Sequence, residues 1–271
     1  MNPKQKNENK VILIGMGLIF LISSFYIIQG LSSGVKDEQT ERKSEELFSD
    51  YTYITASELE KKIINQEKIS LLDVRDSVNF EKNHIEGSLN VSSQNLNETL
   101  QKISKEEFVA IIGYNYERKK EEASVAQILS ESGFKNFKVL TGGIVGWAEE
   151  GNRLISSGDK ESALDWSKVD QIIPEQLKFA LENNYPVFIV DVRKSFLYTN
   201  GHIPKAVNIP LEELEKRKSD IPFSKEILVY GADADEDFSA AVKLHDLGFL
   251  ATYTLQGGFA AWQEKRFEIE K

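Results

Sequence analysis

Near the N-terminus the apolar pattern is continuous and contains no charge. Residues 11–28 are mostly Val, Ile, Leu, Phe and Met. As a helix this run would span ~27 Å, about the thickness of the hydrocarbon core of a bilayer. A buried core helix would normally show a polar face, which this run lacks. The pattern therefore predicts a transmembrane anchor over residues 11–30, preceded by a short basic tail at 1–10 and followed by a polar stalk at 31–50.

Two interpretations of this N-terminal segment compete. Ser32, Ser33 and Gly34 are small residues of the kind found at signal-peptide cleavage sites, so a cleaved and secreted form is the alternative to an anchor. The run is longer than the core of an ordinary signal peptide, which favours the anchor. Lys and Arg are equally frequent on its two sides, but the short basic tail favours an inside position for the tail. We therefore expect a single-pass protein of the cell membrane whose bulk is extracytoplasmic.

Downstream of the stalk, continuous apolar runs alternate with segments of helical periodicity. Such runs are typical of parallel strands that are covered on both faces. Thr55 and Glu58 form a capping box at the start of one helix, and Pro174 stands at the start of another. Strands that alternate with helices indicate an α/β fold. The predicted strands are 69–74, 109–112, 138–140, 187–192, 227–230 and 252–255.

The second half of this region repeats the first. Two motifs return after 118 residues, namely Asp73-Val74-Arg75 as Asp191-Val192-Arg193, and His84-Ile85 as His202-Ile203. The Gly-Gly-x-x-x-Trp motif ending at Trp147 returns after 115 residues and ends at Trp262. The whole difference in offset falls in one loop, between Gly113 and Gly133, which indicates a duplication. We predict one domain at 51–155, a linker at 156–168 and a second domain at 169–271.

The composition of the chain excludes several kinds of ligand and of catalytic chemistry. The net charge is −10, and an acidic surface repels nucleic acid, whose binding needs Lys and Arg to displace counterions. The chain contains no cysteine, which excludes disulfides, thiolate nucleophiles, thiolate metal sites and iron–sulfur clusters. With only three histidines, a histidine-rich metal centre is not expected, and no cofactor is predicted.

Together these motifs resemble the rhodanese family. The resemblance rests on Asp-Val-Arg after a strand, on His-Ile-Pro-x-Ala-x-Asn-Ile-Pro from His202 onward, and on Gly-Gly-x-x-x-Trp, and it covers residues 51–271. It implies two tandem three-layer domains, each with a central parallel sheet, preceded by the transmembrane helix. In that family the loop after the second strand begins with a cysteine that carries sulfur as a persulfide, while backbone N–H groups stabilise the anion. Here the cysteine positions are Gly113 and Gly231.

Both loops depart further from the family pattern. The four carboxylates of the second loop would repel an anion, whereas Arg118 leaves the first loop able to attract one. A divalent-cation site at Asp233, Asp235 and Asp237 is a weak alternative to solvated acids at a helix start, because the spacing is not that of a calcium loop. The loop residues are Gly113, Tyr114, Asn115, Tyr116, Glu117 and Arg118 in the first repeat, and Gly231, Asp233, Asp235, Glu236 and Asp237 in the second.

The remaining motif residues are interpreted as structural. The Asp and Arg side chains are expected to form ion pairs at strand ends, the histidines to fix turns through ring hydrogen bonds, and the tryptophans to anchor the core. A catalytic or metal-binding role for the histidines would need a partner that the sequence does not reveal. This group contains Asp73, Arg75, His84, Trp147, Asp191, Arg193, His202 and Trp262.

The sequence therefore predicts a membrane-anchored, catalytically inactive tandem rhodanese-like protein that acts as an extracytoplasmic binding or interaction module. Its expected partners are the membrane, through the N-terminal helix, and an unknown protein or small anionic ligand. The alternative is an enzyme of the same fold without cysteine chemistry. Such an enzyme would use a metal at the acidic loop or an anion bound at Arg118.

Overall fold

Strands and helices alternate along the residues that the computed structural model describes, which are 52–92, 94–115 and 120–271. The predicted basic tail at 1–10, membrane anchor at 11–30 and stalk at 31–50 lie outside the described residues. Among the described residues, no helix has the length and apolar character needed to cross a bilayer. The segment Thr52–Lys271 forms one compact unit that contains both repeats.

The first repeat is built on a five-stranded parallel sheet in the order β1-β6-β5-β2-β4. All five residues of its central strand are buried, as expected for a strand covered on both faces. A further short strand, β3, lies outside this sheet. The strands are β1 (Tyr53–Ile54), β2 (Ile69–Asp73), β3 (Asn83–His84), β4 (Leu89–Asn90), β5 (Phe108–Ile112) and β6 (Phe137–Leu140).

Within the described residues of the first repeat, five helices accompany this sheet. They are α1 (Ala56–Ile64), α2 (Ser77–Lys82), α3 (Leu96–Leu100), α4 (Lys120–Glu131) and α5 (Gly143–Glu149). Helix α1 begins at the predicted capping box, since Glu58 N–H donates to Thr55 Oγ1 (3.2 Å) and Thr55 N–H donates to Glu58 Oε2 (3.0 Å). Leu59 of α1 and Trp147 of α5 belong to one buried cluster with Leu71 of β2, so both helices cover the same face of the sheet.

The segment between the repeats has structure of its own, strand β7 (Ile155–Ser156) and helix α6 (Ala163–Trp166). Strand β7 pairs antiparallel with β3 of the first repeat, with His84 opposite Ile155. The Ile155 side chain is 1% exposed and packs in a core cluster of the second repeat with Val190 and Leu244. The predicted linker at 156–168 thus contains the end of β7 and all of α6, and β7 serves both repeats.

The second repeat has the same architecture as the first. Its parallel sheet has the order β8-β12-β11-β9-β10, which matches β1-β6-β5-β2-β4 strand for strand. Its strands are β8 (Asp170–Ile172), β9 (Val187–Asp191), β10 (Val207–Asn208), β11 (Glu226–Tyr230) and β12 (Thr252–Leu255). Its helices are α7 (Pro174–Glu182), α8 (Ser195–Asn200), α9 (Ala234–Asp246) and α10 (Gly258–Glu264), with 3-10 turns at Leu211–Glu213 and Lys218–Asp220. The prediction of tandem α/β domains with central parallel sheets is confirmed.

Candidate functional site

Gly113 and Gly231 follow the central strands β5 and β11 directly, at the carboxyl edge of each sheet. The double glycine of each repeat packs against them. In the first repeat, Ile144 N–H donates to Gly113 O (2.9 Å), and in the second, Phe259 N–H donates to Gly231 O (3.3 Å). A Cβ on Gly143 would lie 2.5 Å from Gly113 O, so this close approach requires glycine.

A glutamate occupies the space that a side chain at either position would need. A Cβ on Gly231 would lie 2.7 Å from Oε2 and 2.8 Å from Cβ of Glu236. A Cβ on Gly113 would overlap the carboxylate of Glu122. Neither Gly113 nor Gly231 has a positive φ, so a side chain is excluded by lack of space and not by backbone strain. Both glutamates lie in the first turn of the helix that follows the loop.

In the second repeat, carboxylates accept the backbone N–H groups of the loop. Gly231 N–H donates to Asp237 Oδ1 (2.5 Å), and Ala232 N–H donates to Glu236 Oε2 (2.6 Å). Asp233 Oδ1 caps α9 by accepting two N–H groups of its first turn (3.0 and 2.9 Å). The chain's own carboxylates therefore occupy donors that would otherwise be free to bind an anion.

Burial changes the acidity of this loop. Burial, together with the charges of Glu236 and Asp233, raises the pKa of Asp237 to about 7, although the hydrogen bond from the Gly231 N–H group acts in the opposite direction. Burial also raises the pKa of Glu236, against the hydrogen bond from Ala232. In a desolvated site, each ionised carboxylate makes it harder for a neighbouring carboxyl group to ionise.

The three acids of the alternative divalent-cation site contact different partners. Asp233 caps the helix, Asp237 turns inward to Gly231, and Asp235 forms an ion pair with Lys160. In the part of the chain that the structure describes, no group of three or more His, Asp or Glu side chains is arranged to hold a metal ion. The geometry thus gives no support to a cation site at Asp233, Asp235 and Asp237.

The Asp–Arg motifs form buried ion pairs at the ends of strands β2 and β9. Arg75 Nη2 lies 2.7 Å from Asp73 Oδ2, and Arg193 Nη2 lies 2.5 Å from Asp191 Oδ2. Arg75 Nη2 also donates to the backbone oxygen of Asn83 (2.6 Å), and Arg193 Nη2 donates to that of Gly201 (2.9 Å). Each guanidinium ties a strand end to the segment just before the motif histidine, which is a structural role.

Only the second repeat adds an aromatic hydroxyl to this pair. Tyr230 Oη donates to Asp191 Oδ2 (2.7 Å) and accepts from Ile203 N–H (3.1 Å). Burial and the charge of Asp191 raise the pKa of Tyr230. The Arg193 guanidinium lies 3.8 Å from the centroid of the Phe259 ring, a cation–π contact. In the first repeat, Ile112 stands in place of Tyr230 and has no hydroxyl.

The motif histidines take up the same ring geometry in both repeats. Nδ1 of His84 lies 2.9 Å from Phe80 O, and Nδ1 of His202 lies 3.1 Å from Tyr198 O. The His84 ring also stacks on the Phe80 ring, with centroids 4.1 Å apart, and the His202 ring stacks on the Tyr198 ring, with centroids 3.7 Å apart. On the other side, Nε2 of His84 lies 2.8 Å from Oε2 of Glu215, which belongs to the second repeat.

The motif tryptophans close each repeat in the same way. Trp147 Nε1–H donates to the backbone oxygen of Arg153 (2.8 Å), and Trp262 Nε1–H donates to that of Glu268 (2.9 Å). Both side chains are buried, at 4% and 2% exposed. Each tryptophan therefore holds the chain that leaves its helix against the core.

A model of the rhodanese-like domain matches residues 55–150 and 174–265, which together are more than half of the chain. The chain belongs to the rhodanese-like domain family. Both matched segments fall within the two repeats and leave out the segment around β7. As the sequence shows, this rhodanese-like protein contains no cysteine.

The two curated relatives described next each match about a third of the chain. A sulfurtransferase of Allochromatium vinosum is 29% identical over 94 residues, which are 35% of this chain and 88% of that protein. The thiosulfate sulfurtransferase GlpE of Coxiella burnetii is 35% identical over 101 residues, which are 37% of this chain and 88% of that protein. Among solved structures, a thiosulfate sulfurtransferase from Pseudomonas aeruginosa is 18% identical with a TM-score of 0.45. It covers 81% of this chain, while the chain spans 43% of its length.

In the first rhodanese-like domain a cavity of about 400 Å³ opens beside Gly113 and the buried Glu122. Its walls include the apolar side chains Val125 and Ile128 and the polar residue Tyr114. Tyr114 and Asn115 are the loop residues described on this side, whereas Tyr116, Glu117 and Arg118 lie outside the described residues. A cavity of this size is large enough for a small ligand.

Sequence reasoning identified the glycines but missed the side chains that fill their places. The two acidic pairs, Glu121-Glu122 and Glu236-Asp237, keep the 115-residue offset of the later motifs, which is a signal that repeat alignment could have found. Glu215 has no such signal, because it lies 131 residues from its partner His84. Only the packing of the two domains brings these two residues together.

Proposed function

We propose that this chain is a catalytically inactive tandem rhodanese-like protein that acts as a binding or interaction module. One observation supports the proposal above all. In each domain the cysteine position is a glycine, and the space for its side chain is held by a glutamate of the following helix, Glu122 or Glu236. Sulfur transfer in this family needs a thiolate at that position.

The two domains then have different tasks. In the second, the loop N–H groups of Gly231 and Ala232 already bind carboxylates, so this domain serves as a structural partner. In the first, the cavity beside Gly113 leaves room for a ligand. The partner of the first domain is an unknown protein or a small anionic ligand, and the positive charge of Arg118 would attract the anion.

The location of the protein is part of the proposal. The apolar run at 11–30 anchors the chain in the cell membrane by a single pass, with the domains extracytoplasmic. Protease added to intact cells is expected to degrade the domains, and the intact mass of the protein from washed membranes is expected to include residues 1–30. A protected domain region would contradict the orientation, and a mass starting after Gly34 would favour the cleaved form.

The proposed lack of catalysis is tested with the full-length chain in detergent. Thiosulfate and cyanide are supplied, and thiocyanate is measured beside a cysteine-containing sulfurtransferase as positive control. We expect no thiocyanate above buffer and no sulfane sulfur on the protein. Turnover, or purified protein carrying sulfane sulfur, would remove the proposal.

The alternative is an enzyme of the same fold without cysteine chemistry. A thermal-shift screen with calcium, magnesium, phosphate and thiosulfate tests it, because a specific ligand raises the melting temperature by mass action. A metal-dependent shift that is lost in Asp233→Ala and Asp235→Ala would support a metal enzyme. An anion-dependent shift that is lost in Arg118→Ala would instead support anion binding by the first domain.

A further inference from the structure

The junction of the two domains contains a buried hydrogen-bonded pair. Nε2 of His84 in the first domain lies 2.8 Å from Oε2 of Glu215, which lies between the two 3-10 turns of the second domain. The other oxygen, Oε1, accepts the N–H of Gly87 at 2.7 Å. The side chains are only 5% and 20% exposed. One carboxylate of the second domain thus holds two groups of the first.

The geometry of this pair fixes a proton count. Nδ1 of His84 faces the carbonyl oxygen of Phe80, which can only accept, so Nδ1 carries a hydrogen. Nε2 faces a carboxylate oxygen, which also accepts when it is ionised. A neutral imidazole with its hydrogen on Nδ1 would present a lone pair to the Glu215 carboxylate. The contact therefore needs one further proton between Nε2 and Oε2.

We infer that His84 and Glu215 form a proton-dependent latch between the two domains, closed while the pair holds this proton and weakened when the proton is lost at alkaline pH. Burial raises the pKa of Glu215, but hydrogen bonds from His84 and Gly87 outweigh it and hold that pKa below its ordinary value. The latch is accordingly a hydrogen bond between a buried imidazole ring and a carboxylate whose ionised form the fold favours, which makes the bond charge-assisted.

The latch has a limit on each side of the pH scale. Since the folded-state pKa of Glu215 is lowered, its contribution to stability is present above its ordinary pKa and is lost as the pH falls through the lowered value. On the alkaline side the limit is set by loss of the one further proton that the contact between Nε2 and Oε2 needs. Histidine is the side chain that ordinarily changes charge between about pH 5 and 8.

Other charged groups surround the pair. Lys243 of α9 interacts with Glu215, and also with Glu81 and Glu212, and burial lowers its pKa. Lys218 forms a second ion pair across the junction with Glu86 of the first domain. Arg75, next to the β3 segment, is already neutralised by Asp73. Because its pKa is lowered, Lys243 could also produce an alkaline response, so the experiment must separate it from His84.

The second domain supplies a matched control. His202 has the same contact to a carbonyl oxygen, but its Nε2 lies 3.7 Å from Glu270, which is 53% exposed and belongs to the same domain. The registers explain the difference, because His202 pairs with Glu270 whereas His84 pairs with Ile155. The first domain has an apolar residue where the second has an acid, and the carboxylate comes from the other domain.

The latch is tested by hydrogen exchange of the Gly87 amide, measured by NMR on the full-length chain in micelles from pH 6 to pH 9. The protection factor, corrected for the intrinsic exchange rate, is expected to fall by about tenfold, the scale of one charge-assisted hydrogen bond. In His84→Gln the profile becomes flat, because an amide donates to Glu215 at every pH. The control His202→Gln keeps the wild-type profile.

A second variant keeps the test decisive if His84→Gln does not fold. In Glu215→Gln, Oε1 still accepts from Gly87, while the amide nitrogen donates to a neutral imidazole. Protection of the Gly87 amide should then rise with pH instead of falling. The latch would be overturned by a wild-type profile that stays flat from pH 6 to pH 9, by an unchanged fall in His84→Gln, which would point to Lys243, or by a fall in Glu215→Gln like that of the wild type.

Discussion

A Cβ atom on Gly231 would lie 2.7 Å from Oε2 of Glu236, closer than Cβ atoms in folded proteins come to neighbouring atoms. The same relationship holds in the first domain between Gly113 and Glu122. Where the resemblance to the family places a cysteine, each domain thus has a glycine and a neighbouring glutamate that fills the space of its side chain. We therefore expect that a cysteine introduced at either glycine fits only when the glutamate is removed as well.

Gly231→Cys is expected to lower the free energy of unfolding by about 1–3 kcal/mol through overpacking. Glu236→Gly in the same chain should recover part of this loss, since it removes both Oε2 and the Cβ that lies 2.8 Å away. Urea denaturation of the two single variants and the double variant gives a coupling energy, which we expect to be favourable by about 1 kcal/mol or more.

Ala232→Cys is the matched control for this cycle, because it places a thiol one residue further along the same loop at an exposed position. It should change stability little, with or without Glu236→Gly. Strictly additive effects of Gly231→Cys and Glu236→Gly would show that Glu236 does not fill the space of the missing side chain.

Asp237→Asn should stabilise the protein increasingly as the pH rises from about 4 to 7. Burial raises the folded-state pKa of Asp237 from 3.8 to about 7, so its contribution to stability is full below the ordinary pKa and is lost as the pH rises through 7. The amide keeps an oxygen for the Gly231 N–H but does not ionise. At about 1.4 kcal/mol per pKa unit, the gain should level off above pH 7 at roughly 2–4 kcal/mol.

Urea denaturation at pH 5 and pH 8 measures this difference. Asp235→Asn is the control, because Asp235 lies in the same helical turn but is exposed. A gain for Asp237→Asn that is equal at both pH values would mean that Asp237 ionises normally in the folded state.

Tyr230→Phe is expected to cost about 1–3 kcal/mol of the free energy of unfolding, since the buried Asp191 carboxylate loses a donor and Ile203 N–H loses its acceptor. Chemical denaturation measures the loss. Tyr185→Phe, at a side chain that is 58% exposed, should have almost no effect. Equal stabilities of the Tyr230 variant and the wild type would show that water replaces the hydroxyl.

Ile155→Ala should destabilise the second domain although the residue is paired with the first. Its side chain is 1% exposed in the second domain's core, and removing such a side chain costs about 2–5 kcal/mol. Leu164→Ala, in α6 and 71% exposed, is the control. Hydrogen exchange resolved by peptide locates the loss, and destabilisation confined to residues 52–150 would contradict the shared role of β7.

Much of the fold follows from local patterns. The strand predicted at 252–255 has the observed bounds, and the one predicted at 69–74 differs by a single residue. The edge strands, such as Leu89–Asn90, were missed because two residues form no apolar run. Strand β7 (Ile155–Ser156) was not predicted for the same reason, since its position is decided by partners in both domains and not by its own periodicity.

For the site, the sequence by itself determined the duplication and the glycine at the start of each loop, Gly113 and Gly231, because these depend on residue identity and spacing along the chain. The tertiary structure alone decided which side chain fills the space beside each glycine and which residues join the two domains. Glu236 occupies the place of a side chain at Gly231, and Glu215 finds His84 across 131 residues. Contacts of this kind depend on distances in space, which a periodic pattern along one chain does not record.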